Sequence, residues 1–105
     1  MVKVYRENNS VDHEKPYKVL IDNIPVFELL EGDIKNINLD PGKHKISAKS
    51  EKYTSNEIEF EETSESIIEF VVEPDYVNNA ISKFFTNTIY GKVGLKVSKK
   101  NEFFI

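Results

Sequence analysis

The stretch whose reading decides the fold is YKVLIDNIPVFELLEGDIKNINLDPGKHKISA, Tyr17 to Ala48. Tyr17, Val19 and Ile21 alternate with Lys18, Leu20 and Asp22, the two-residue period of a strand with one face on a core. Leu20 interrupts strict alternation, so the second face is expected to be partly covered. Asp22-Asn23 supplies a turn, because both side chains can bond their own backbone and Asn tolerates positive φ. Val26, Phe27, Leu29 and Leu30 resume the apolar pattern behind Pro25. That proline lacks a ladder donor and belongs at a strand start or on an edge. Glu31-Gly32-Asp33 breaks the run. Ile37 and Leu39 then face one way and Asn36 and Asn38 the other. Asp40-Pro41-Gly42-Lys43 has the Pro-Gly order of a type II turn. The chain returns with His44, Ile46 and Ala48 on one face and Lys43, Lys45, Ser47 and Lys49 on the other. Lysines so spaced mark a solvated face and oppose edge-to-edge aggregation.

Val19-Leu20-Ile21-Asp22, Val26, Leu39-Asp40-Pro41-Gly42-Lys43-His44-Lys45-Ile46, Tyr53 and Phe60 together resemble the PEGA-type domain. The resemblance spans roughly Val2 to Glu73. Asn23 stands where that family usually has Gly, and Glu31-Gly32-Asp33-Ile34 stands in place of its eponymous tetrapeptide. What the resemblance implies is a small bacterial β-sandwich, related in shape to prealbumin-like and carboxypeptidase-regulatory-like domains. It implies a structural or interaction module, often extracytoplasmic, with no catalytic residues.

The expected architecture is a mainly β, antiparallel sandwich of seven or eight strands with one C-terminal amphipathic helix. At 105 residues the chain is expected to be one domain, residues 1–73 forming the sandwich and 74–105 the helix, a late strand and a tail. Zero cysteines remove disulfides, Cys-zinc sites and thiol nucleophiles together. The net charge is -4 and Arg6 is the only arginine, a poor endowment for neutralising phosphates, so no nucleic-acid partner is expected. No apolar run approaches membrane-spanning length, so no membrane insertion is expected. Met1 to Arg6 lacks the apolar segment of a signal peptide. The expected compartment is therefore cytoplasmic if Met1 is the native start and extracytoplasmic otherwise.

Val2 and Val4 begin a first short strand, and Glu7 to Pro16 reads as a polar loop. His13 lies in that loop with no partner at ligand spacing, and His44 shares a face with Ile46 and Ala48. For both, a metal or catalytic role is outweighed by a structural one, because a lone His without a nucleophile or second ligand makes no site. Tyr53 is expected to cap one end of the sandwich. Ile58 and Phe60 point inward while Glu57, Glu59 and Glu61 point out, and Glu62 to Glu65 form a turn. The next strand, Ser66 to Glu73, directs Ile68, Phe70 and Val72 inward. Its other face, with Ile67 and Val71, is too apolar for open solvent and needs a cover.

Nine acids against one base lie between Glu51 and Asp75, whereas Lys83 to Glu102 holds five bases and one acid. Glutamates at alternate strand positions read as a solvated face; the spacing fits neither a calcium loop nor a glycosidase pair. The two segments are expected to lie near one another. After Pro74, the residues Tyr76, Val77, Ala80, Ile81, Phe84 and Phe85 form one stripe of a helix from about Asp75 to Thr86, with Asp75 as N-cap. Gly91 and Gly94 flank a late strand, and Phe103-Phe104-Ile105 calls for a docking place.

No metal, cofactor or catalytic constellation emerges. The leading function is a non-enzymatic interaction or structural module, its partner unknown or a second copy of itself. The candidate interface is Tyr76, Ile81, Phe84, Phe85, Phe103, Phe104 and Ile105. The alternative, from another class, is a small-ligand or glycan binder using tyrosines at the end of the sandwich, Tyr53 and Tyr90 foremost, with Tyr76.

Overall fold

A computed structural model describes residues 1–7, 16–76 and 92–104 of the protein. Asp22 and Asn23 adopt φ of 53° and 65° and close a two-residue turn between the paired Ile21 and Ile24. Two successive positive φ values suit the right-handed twist of the flanking strands, and Asp and Asn accept them at modest cost. The chain runs β1 (Val2–Arg6), β2 (Tyr17–Ile21), β3 (Ile24–Leu29), β4 (Ile34–Ile37), β5 (Gly42–Lys49), β6 (Ile58–Glu62), β7 (Ser66–Tyr76) and β8 (Lys92–Phe104). These form two four-stranded sheets, one in the order β4-β1-β7-β8 and the other β3-β2-β5-β6.

The inward set follows the period-two pattern. Val2, Val4, Ile68, Phe70, Val72, Leu95 and Val97 from the first sheet meet Tyr17, Val19, Ile21, Leu29, Ile46, Ala48 and Phe60 from the second in one buried cluster. Burying each large side chain contributes about 1.5–3 kcal/mol, which is what holds the layers together. Phe60 and Phe70 meet across the layers with ring centroids 5.1 Å apart and a 59° tilt. Leu20 is buried as well, so β2 is covered on both faces.

The sheets are not wholly antiparallel. β1 pairs β4 antiparallel but β7 parallel, with Val2 beside Ile68 and Arg6 beside Val72. Parallel neighbours need a long crossover, and β2 to β6 supply it. No helix occurs among the described residues. Asp75 and Tyr76, expected to open one, instead end β7, which continues through Pro74. Pro74 is tolerated because it stands opposite Leu95, where backbone groups face away from β8, and β1 has already ended beside Val72. The missing N–H thus lies where no strand would receive it. The rest of the expected helix, with Ile81, Phe84 and Phe85, lies outside the described residues, as do His13, Tyr90 and Ile105.

The expected proximity of acidic and basic segments takes a definite form. β7 and β8 pair antiparallel from Ser66–Phe104 to Tyr76–Lys92, placing Glu73 opposite Lys96, whose Nζ is 3.5 Å from the Glu73 Oε1.

Candidate functional site

Among the described residues, three structural groups of charged and polar side chains stand out, together with the edge of the last strand. Arg6 is the first group. It is 4% exposed, its Nη1 donates to the Leu29 carbonyl at 2.8 Å, and its guanidinium sits 3.7 Å from the Tyr17 ring centroid. The sole arginine therefore braces the two sheets from within and presents nothing to an external phosphate.

His44 is the second. Its Nδ1 lies 2.6 Å from Asp22 Oδ2 and its Nε2 lies 2.7 Å from the Asp40 carbonyl. Both partners accept, so the arrangement suits a ring with both nitrogens donating, the protonated form. The Asp22 Oδ1 also accepts the Lys45 N–H at 2.9 Å. The Asp22 bond, then the Asp40 carbonyl, raise the His44 pKa, and the His44 bond leads in holding Asp22 below the usual carboxylate range. The ring thus ties the β2–β3 turn to the entry of β5. The expected structural role thus rests on a backbone carbonyl and on Asp22, a partner that no pattern in the sequence indicated.

The third group lies on the outer face of the β4-β1-β7-β8 sheet. The Tyr5 hydroxyl donates to Glu69, whose other carboxylate oxygen accepts Asn101 Nδ2 at 3.1 Å. Lys100 Nζ stands 5.0 Å from the Tyr5 ring centroid. The Tyr5 bond leads in lowering the Glu69 pKa, and the same bond leads in raising that of Tyr5. Glu62 likewise departs from the solvated-face expectation. It ends β6 rather than opening a turn, is 2% exposed, and accepts the Met1 amine at 2.6 Å through Oε1.

Among the described residues β8 is an edge strand. Asn56 closes part of that edge: its Nδ2 donates to the Val97 carbonyl and its Oδ1 accepts the Val97 N–H, both at 3.0 Å. The amide acts as one peptide unit of a missing strand. Since the Val97 groups face away from β7, alternation across the bulge at Glu69/Phe70 turns the backbone groups of Lys99, Glu102 and Phe104 outward too. Phe103 and Phe104 are 51% and 72% exposed, so the expected docking place for the tail is not within the described residues. Ile34 and Leu30 are exposed as well.

The three tyrosines whose side chains are described do not converge. Tyr17 is buried under Arg6, Tyr5 is on the outer sheet face, and Tyr53 is half-buried against the core. Tyr53 borders an open groove of about 550 Å³ with Thr54, Asn56, Leu95 and Ser98. For Tyr76 the backbone is placed, at the end of β7. Among the described residues no group of three or more His, Cys, Asp or Glu could hold a metal, and no helix is long and apolar enough to cross a membrane. Comparison with protein-family models, curated proteins and solved structures finds no match.

Proposed function

We propose that the protein is a non-enzymatic interaction module, a PEGA-type, prealbumin-like sandwich that self-associates through β8 and its C-terminal tail. The observation that carries this reading is the pair Phe103 and Phe104, held on an edge strand with half or more of each side chain in solvent. Their backbone pairs with Ile67 and Ser66 of β7, so their exposure is not the fraying of a loose end. Full burial of such a ring is worth about 1.5–3 kcal/mol, and a partner covering the exposed part of each gains the corresponding share. The outward backbone groups beside them supply directional bonds for the same contact.

Sedimentation velocity over a wide concentration series tests it. The intact chain is expected to sediment faster as concentration rises, and the Phe103→Ser/Phe104→Ser double variant to require higher concentration for the same shift. Both staying monomeric throughout refutes the reading.

A further inference from the structure

Resting on that self-associating reading, we infer that the occupant of the open β8 edge is β6 of a second copy, the two copies forming a closed, two-fold dimer. β6 is the outer strand of the β3-β2-β5-β6 sheet as β8 is of the other. Both lie on the same side of the molecule, because Asn56, two residues before β6, reaches across the layers to Val97 of β8. A two-fold axis lying in that side and running along the strands sets β8 of each copy beside β6 of the other, so both edges are consumed at once and the assembly closes.

The backbone of β6 is turned the right way. Asp22 N–H donates to the Lys45 carbonyl and Lys45 N–H donates to the Asp22 carboxylate, so the Lys45 groups face β2. Lys45 stands opposite Glu59 and Lys43 opposite Glu61, so alternation leaves the N–H and C=O of Glu59 and Glu61 facing away from β5, out of the sheet. On β8 the outward groups are those of Lys99, Glu102 and Phe104, beyond the segment that Asn56 already covers.

Charge selects this pairing over the other two. Glu59 and Glu61 on β6 and Glu57 just before it are exposed, while β8 carries the exposed Lys99 and Lys100 with Lys96 before them. β8 against β8 sets lysines beside lysines, and β6 against β6 sets glutamates beside glutamates, each costly across a strand pair. β6 against β8 continues the ladder already present on β5 and β6, with Glu59 and Glu61 flanked by lysines on both sides. Glu102 is held within its own strand by Lys99, 2.5 Å away, which moderates its repulsion.

A charge swap tests the arrangement on the full chain. Sedimentation equilibrium is run on the wild type, on Glu59→Lys/Glu61→Lys, on Lys99→Glu/Lys100→Glu, and on the two variants mixed equally. The wild type is expected to dimerise and each variant alone to dissociate at least tenfold more readily. The mixture is expected to regain the wild-type dimer, since both of its edge pairs are again complementary. A wild-type dimer indifferent to the β6 reversal, or a mixture no tighter than its parts, overturns the β6–β8 pairing and leaves the module reading standing. A wild type monomeric at every concentration overturns both. Should either variant fail to fold, hydrogen exchange on the wild type decides instead. The amides of Glu59, Glu61, Lys99 and Phe104 are expected to slow as concentration rises, and concentration-independent exchange at all four overturns the pairing.

Discussion

The Asn56 amide is the most sharply testable contact in the molecule, because one side chain closes one residue of an edge. Asn56→Ala removes both bonds to Val97, each 3.0 Å long. A neutral hydrogen bond contributes about 0.5–1.5 kcal/mol net, so the pair sets an upper range of roughly 1–3 kcal/mol. Asn56 is exposed, so water replaces much of what the amide supplied to the Val97 groups. The lower end, about 1 kcal/mol, is therefore expected, which for a domain of this size lowers Tm by roughly 4–8 °C. Urea unfolding gives the stability change. Amide exchange gives its location: the Val97 N–H is expected to lose protection, while Val72 and Phe70, inside the same sheet, keep theirs. A variant that loses stability but keeps Val97 protected, or one whose protection falls evenly through β7 and β8, would refute the edge-closing role.

The His44 contacts predict a pH profile. His44 has a raised pKa in the folded state, so its contribution is fully present below the unfolded value near 6.5 and is lost as pH rises through the higher folded one. Asp22 has a lowered pKa, so its contribution is present above the unfolded value near 3.9 and is lost as pH falls through the folded one. Denaturant unfolding from pH 3 to 9 is expected to show a plateau between those two limits. His44→Gln flattens the alkaline limb, and an unchanged alkaline limb in that variant counts against the imidazolium. Gly42 has φ of 129° with no atom within 4 Å of where a Cβ would stand. Gly42→Ala is therefore expected to cost about 1–3 kcal/mol through backbone strain alone. A neutral result in urea unfolding would show that the backbone there relaxes freely.

How much was legible in advance differs by element. Alternation along Tyr17–Ile21, Gly42–Lys49, Ile58–Glu61 and Ser66–Val72 indicated extended segments and their inward apolar residues correctly, because a one-sheet face is written into every second position. The Asp22-Asn23 turn and the need for Gly at position 42 were equally local matters. Glu62 was read as opening a turn, and neither its partner nor those of Glu69 were indicated, because alternation says nothing about who stands opposite. Tyr5, Asn101 and the Met1 amine, which meet them, lie more than thirty residues away. Asp75-Tyr76 was read as a helix start from the apolar spacing that follows and from Pro74 as the end of the strand, but a proline's effect depends on whether a neighbouring strand needs its N–H.

The amino-acid sequence by itself therefore determined the local geometry: which segments extend, which residues face inward, and where the backbone must take positive φ. Those properties depend on side chains and dihedral preferences within a few residues. Only the tertiary structure decided that β1 lies parallel to β7, that Asn56 seals β8 at Val97, that the one arginine is interior, and that β6 and β8 share a side. Each of these depends on partners brought together across long stretches of chain, and no short-range pattern encodes which distant strand becomes a neighbour.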